Sequence, residues 1–264
     1  LSDAALLAAR AFFLLVGPFA GDYVATFAAA WPRAPRPLLG RSRCARCGAP
    51  IAASRAIPLI SWLALRGRRS CCGGRIPVVY PLGEAAGLVS GLAAALQPSL
   101  SLAAWSFGLG LALSYVALVD LRRFSIPWWG LGALALGLGL AVAAEPTTGA
   151  QVARLATAGA LAVAFEALRR FGGRGGRRLG LGAGDVLLAA LLGGLVGWRL
   201  AAPMVSLGAL APLTLQFIQR RSGPTPFGFW LSCGAGALLL LMELMSVLQG
   251  PSHLVNGEAL TQGL

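Results

Sequence analysis

Lysine is absent from this chain, and histidine occurs once, as His253. A lone histidine has no partner for a catalytic triad or a histidine metal site. Charge of either sign is scarce: 12% of the 264 residues are charged, about half the share of an ordinary soluble domain. Only nine residues are acidic, and four of these are aspartates: Asp3, Asp22, Asp120 and Asp185. A chain so poor in polar groups cannot cover the surface of a water-soluble globule. A soluble enzyme, a disordered chain, a collagen-like rod and a secreted disulfide mini-domain are all excluded.

What is present is apolar. Hydrophobic residues make up 57%, and with the 36 glycines the share reaches roughly 70%, against about 45–50% in soluble domains. Mean hydropathy is +0.74. Eight apolar segments are expected at Ala4–Ala30, Pro81–Leu96, Leu102–Val119, Trp128–Ala144, Val152–Leu168, Val186–Val196, Pro203–Ile218 and Pro226–Leu248. A spanning helix wants ~20 apolar residues, so the second and sixth are short by this count. The fold class is all-α: a polytopic membrane protein of about eight transmembrane helices. Ala4–Ala30 lacks a basic leader and a cleavage site, and reads as a span rather than a signal peptide. Gly130–Gly139 and Gly182–Gly197 suggest close helix packing through small residues, with GC-rich composition as the competing account.

The net charge of +13 comes from 22 arginines. Nineteen of them fall in Trp31–Tyr80, after the third span, after the fifth span, and at Arg220–Arg221. If spans alternate, these segments share one side, which the positive-inside rule makes cytoplasmic. Both termini then lie on the other side. Arg10 and Arg154 sit within apolar segments and are expected to snorkel outward. The basic charge needs no nucleic acid, because topology and anionic lipid explain it and no nucleic-acid module is visible. The chain divides into a first helix at 1–30, a Cys- and Arg-rich insert at 31–80, a transmembrane core at 81–249 and a tail at 250–264. An insert of about 50 residues is too small for a robust core without a staple.

Two aspartates stand at the expected cytoplasmic edge. Asp120 ends the third span and Asp185 opens the sixth, after Gly182-Ala183-Gly184. An acidic group there is costly and a functional candidate. Two such carboxyls brought together can share a proton, so that one activates water while the other donates to a carbonyl. The plainer account is a solvated edge or a helix cap, with Asp185 as N-cap. Gly182 and Gly184 favour the first, since they let backbone approach a partner closely.

The ordered motifs resemble those of the bacterial type IV prepilin peptidase family, a group of GxGD intramembrane aspartyl proteases that are leader peptidases and N-methyltransferases. Gly182-Ala183-Gly184-Asp185 carries the signature. Arg43-Cys44-Ala45-Arg46-Cys47-Gly48 resembles the first Cys-x-x-Cys of the family's insert. Tyr80-Pro81-Leu82-Gly83-Glu84, Asp120 with Ile126-Pro127, and Pro226-Phe227-Gly228 follow in family order.

The resemblance implies that Asp120 and Asp185 are the catalytic pair, with Gly182 and Gly184 in the active-site loop. No cofactor is then needed for the peptidase. Prepilins or pseudopilins would be the substrates, cut just after a basic leader on the cytoplasmic face of the bacterial inner membrane, within the lipid bilayer. S-adenosylmethionine would serve N-methylation if that activity is retained. Glu84 is a substrate-contact candidate, with a helix-start carboxylate as the plainer account. The family's two Cys-x-x-Cys pairs suit one zinc. Here the second is altered: Arg69 stands at the expected partner position of Cys72, and Cys71 is adjacent. Cys44, Cys47, Cys72 and Cys71 are the candidate zinc ligands, although neighbouring cysteines are not expected to reproduce the knuckle; reduced thiols are the alternative. Cys233 reads as a small buried residue. Further departures are Trp128, Leu187 and Ala25, the last bearing on methylation. A non-catalytic homologue that binds pilin helices as an assembly factor is the competing function.

Overall fold

The computed structural model describes residues 3–33, 43–44, 46–171, 181–219 and 225–249. Residues 250–264 with His253, the arginine-rich stretch 172–180, and Arg220–Arg221 lie outside the described residues. Among the described residues there are eight long helices and no strand. The long helices are α1 (Asp3–Ala30), α3 (Val79–Ala95), α4 (Leu100–Arg123), α5 (Trp128–Ala143), α6 (Thr148–Phe171), α7 (Ala183–Val196), α8 (Trp198–Gln219) and α9 (Phe227–Gln249). A short α2 (Ile60–Ala64) lies in the insert. The protein is an all-α polytopic membrane protein, as its apolar runs imply. Four helices (α1, α4, α6 and α9) are long and apolar enough to cross a bilayer. At 14 residues, α7 is about 21 Å long, well short of an ~30 Å hydrocarbon core. It packs against α5, α6, α8 and α9, so protein rather than lipid surrounds much of it.

Local chemistry sets the helix ends. Ser99 caps α4 by accepting the Leu102 N–H at 3.3 Å. Arg122 and Arg123 occupy its last turn, where cations suit the helix dipole. The chain then leaves through Phe124 in the left-handed region. Gly197, at φ +79°, ends α7 and lets α8 begin one residue later.

The main core joins six helices through Leu109, Val116, Leu134, Phe165, Leu188, Leu192, Met204 and Leu231. The closest approach lies elsewhere, between α1 and α3. A Cβ on Gly21 would strike the Gly83 carbonyl, and one on Gly87 would strike the Gly17 carbonyl. Of the glycines singled out in the sequence, Gly130, Gly193 and Gly194 do meet neighbouring side chains, whereas Gly132 and Gly139 face open space.

Two expectations, for Cys233 and Asp185, are corrected. Arg154 extends toward the break at Glu145, where it pairs with Glu145 at 2.5 Å and donates to the carbonyls of Gly194 at 3.1 Å and Leu195 at 2.8 Å. Those carbonyls belong to the last turn of α7, which lacks helical partners for them. The Nε of Arg10 is buried, and the residue as a whole is half-buried. Cys233 is exposed on α9 rather than buried. Asp185 is not the N-cap of α7, because Gly182 holds that place. Glu166 pairs with Arg169, at 2.7 Å, and with Arg170.

Candidate active site and metal centre

Asp120 sits in the last turn of α4 and is only 4% exposed. Its Oδ2 accepts the Phe229 N–H at 2.9 Å. That N–H belongs to the first turn of α9, where backbone donors have no helical acceptor. Asp185 lies in the first turn of α7, and its Oδ2 accepts the Gly182 N–H at 2.8 Å. One side chain links the two surroundings. A Cβ on Gly184 would lie 3.0 Å from Ile126 Cβ, and a Cβ on Gly228 would press on Ile126 Cδ1 and lie 3.2 Å from the Asp120 carboxyl. Ile126 is therefore wedged between the glycine before Asp185 and the glycine beside Asp120. Both acids therefore stand beside glycines that pack on the same side chain. Four helix ends thus bring two acids to one end of the bundle.

The other candidates sort clearly. Gly182 is the exposed N-cap of α7 and donates to Asp185. Glu84 is not in the first turn of α3, so the macrodipole account does not hold. Its Oε2 instead accepts the Leu59 N–H at 2.6 Å and ties the insert to the bundle. Leu187 is 54% exposed. Two residues past Asp185 is about 200° around the helix, so it points away from that acid. Trp128 stacks on Trp129 at 3.6 Å and is exposed. Ala25 is fully buried and faces Gly83.

Sequence reasoning named Ile126 and Gly228 only as motif residues and missed their place in the wall of the site, together with the Phe229 N–H. The Pro-Phe-Gly that opens α9 was the available signal, since a glycine in a first helical turn points to close approach.

In the insert, two loops share one backbone pattern 25 residues apart. In the first, Cys44 N–H donates to Ala49 O and Gly48 N–H to Cys44 O, each at 2.8 Å. In the second, Arg69 N–H donates to Gly74 O at 2.7 Å and Gly73 N–H to Arg69 O at 2.9 Å. The bridges Arg43–Pro50 and Arg68–Arg75 keep the same offset. Gly48 and Gly73 both turn with positive φ, +73° and +64°. The second knuckle is therefore intact as a backbone, contrary to the expectation from its adjacent cysteines, because glycine and the bridge set its shape. The four sulfurs lie within 4.8 Å of one another. Cys47–Cys71 is 3.4 Å and Cys44–Cys72 is 3.9 Å. Tetrahedral zinc at about 2.3 Å from each sulfur needs roughly 3.8 Å between sulfurs, so the donor set fits. Hydrogen bonds from the backbone at Cys47, then at Arg46, hold the Cys44 thiol at about 6. Bonding to the Cys47 and Cys44 sulfurs pushes Cys71 up to about 12.

With this geometry in place, comparison with known proteins is direct. The family model described as "Bacterial Peptidase A24 N-terminal domain" matches residues 15–97. A prepilin leader peptidase/N-methyltransferase of Dickeya chrysanthemi is 33% identical over 249 residues, covering 89% of this chain and 81% of that protein. A "Type 4 prepilin-like proteins leader peptide-processing enzyme" of Escherichia coli O78:H11 is 35% identical over 217 residues, covering 78% and 77%. A prepilin leader peptidase/N-methyltransferase of Myxococcus xanthus is 32% identical over 230 residues, covering 81% of this chain and 65% of that protein. No solved structure matches. Close kinship over most of both chains, carried on an all-α membrane bundle, places this chain in the prepilin leader peptidase/N-methyltransferase family.

Proposed function

We propose that the chain is a leader peptidase for prepilins or pseudopilins and that Asp120 and Asp185 hydrolyse the scissile amide. The observation that supports this reading is that the remote segments carrying the two carboxyls both pack on Ile126, at the bundle end that also bears the insert. In this reading the two carboxyls come together on the substrate and share one proton. The carboxylate takes a proton from water as the water oxygen bonds to the scissile carbonyl carbon. The protonated partner gives its proton to the carbonyl oxygen. The tetrahedral adduct then collapses: the C–N bond breaks, the amine nitrogen takes the proton held by the first carboxyl, and the partner recovers its own. The Gly182 and Phe229 N–H groups fix the two side chains in place.

Orientation follows the arginines. The insert side faces the cytoplasm, both termini face away, and the substrate's basic leader remains in water while its apolar helix lies in the bilayer. The insert (31–80) is a module on a core (81–249). Its four thiols would hold a structural zinc, which supplies a cross-link and no chemistry to the cut. Glu84 serves as the tether through Leu59. The second activity in the relatives' names would use S-adenosylmethionine as donor, and Ala25 offers it no polar group.

The test is cleavage of a cognate prepilin by the full-length protein in liposomes. Asp120→Asn and Asp185→Asn should insert normally and leave no processed product. Full cleavage by either variant would overturn the assignment.

A further inference from the structure

We infer that the insert's metal centre is built with a displaced ligand. Cys71 supplies the fourth thiolate that residue 69 would supply in a symmetric pair of knuckles, and Arg69 acts as a counter-cation beside the Cys44 thiolate. The inference rests on the reading that the insert binds zinc.

The offset of 25 residues aligns Cys47 with Cys72 and Cys44 with Arg69. A guanidinium remains protonated and has no lone pair to offer a metal. Position 69 therefore cannot ligate, although its backbone keeps the knuckle shape. The missing sulfur comes from two residues further on, and Cys71 Sγ lies 3.4 Å from Cys47 Sγ. The Arg69 side chain turns inward all the same. Its Nη1 donates to Cys44 Sγ at 3.7 Å. The other knuckle reciprocates: the Arg46 guanidinium lies over Gly74, where a Cβ would come within 2.7 Å of its Nη1. Each knuckle thus lays an arginine across the other.

The consequence is electrostatic. Zinc with four thiolates carries a net charge of −2, and a guanidinium against one sulfur brings the local sum to −1. An N–H group on a coordinated sulfur withdraws electron density from it. That sulfur becomes a poorer base and a poorer nucleophile, so protons and alkylating agents displace the metal more slowly. Outer partners of this kind are typically worth about 10–100-fold in metal affinity. Arg69 is a positioning residue and does not touch the metal.

The experiment uses full-length protein in nanodiscs, loaded with zinc or cobalt(II), with four readouts. Wild type should hold one zinc per chain and give the visible and near-ultraviolet cobalt spectrum of four thiolates. Cys71→Ser should lose about a quarter of the sulfur-to-cobalt charge-transfer intensity and bind zinc at least tenfold more weakly. Adding Arg69→Cys to Cys71→Ser should restore the four-sulfur spectrum through the symmetric set, which also shows that the single variant had folded. Arg69→Gln alone should keep the four-thiolate spectrum but release zinc to a chromophoric chelator roughly tenfold faster. A wild type that binds no zinc would refute the metal reading itself. Zinc binding that is indifferent to Cys71→Ser, or a double variant that fails to recover, would overturn the displaced ligand while leaving the metal reading intact. Unchanged zinc release from Arg69→Gln would overturn the counter-cation role.

Discussion

Replacing Gly228 by alanine tests whether the acid pair depends on close packing at the start of α9. The new methyl would press on Ile126 Cδ1 and sit 3.2 Å from both Cγ and Oδ2 of Asp120. Neighbours at that distance must give way by a few tenths of an ångström. The Asp120 carboxyl cannot do so freely, because the next residue's N–H, that of Phe229, holds its Oδ2 at 2.9 Å. Overpacking of this kind costs about 1–3 kcal/mol. If that cost falls on the reactive geometry, at about 1.36 kcal/mol per tenfold, cleavage should slow by roughly 5- to 150-fold. Gly236→Ala is the matched control, since it lies on the same helix with nothing within 4 Å of the added methyl. A second substitution, Ile126→Val, deletes the Cδ1 that clashes and should recover part of the loss. The assay is single-turnover cleavage of a prepilin in liposomes, with thermal unfolding measured alongside. Equal rates for Gly228→Ala and Gly236→Ala, at equal folding, would refute the packing argument.

Other perturbations follow from the same contacts. Glu84→Ala strands the Leu59 N–H, a loss of about 1–3 kcal/mol, and should speed proteolysis of the insert, whereas Glu84→Gln keeps an acceptor and should not. Arg154→Met leaves Glu145 and the Gly194 and Leu195 carbonyls unpaired; the midpoint of thermal unfolding in detergent should fall, and adding Glu145→Gln should restore part of it. Gly87→Val drives side-chain bulk into the backbone of α1 and should lower the yield of folded protein, measured by monodispersity in detergent, far more than Gly132→Val. Stripping metal with a chelator should loosen the insert, seen as faster proteolysis, while helical circular dichroism stays constant.

The eight helices were legible because lipid leaves a chain little choice. An apolar run must satisfy its own backbone, and the expected segments agree with the observed helices to within a few residues at most ends. Asp120 and Asp185 stood out by scarcity, and the fold brings them to one end of the bundle. Helix pairing was less legible. With 36 glycines in the chain, nothing in the sequence distinguishes Gly87, pressed on α1, from Gly139, which faces open space. The second knuckle misled for a different reason. Its cysteine spacing is irregular, but its shape resides in Gly73 and the Arg68–Arg75 bridge, which a search for paired cysteines does not weigh. The sequence marked Arg154 as a cation near a span end, but its acceptors, two carbonyls some 40 residues further on, are visible only in three dimensions.

The bare contact of Gly21 with Gly83 and of Gly17 with Gly87 has a consequence beyond packing. The chain leaves α1 for the insert and returns from it into α3, so both feet of that excursion stand on one locked helix pair. The entropy of loop closure is then met by the helices, and lengthening the excursion adds only slowly to it, by about 0.6 kcal/mol per doubling. The excursion could be enlarged, pared down or exchanged for another small module with little strain reaching the acids at the ends of α4 and α7. Lipid holds the helical frame, and the water-exposed appendage is left free to change.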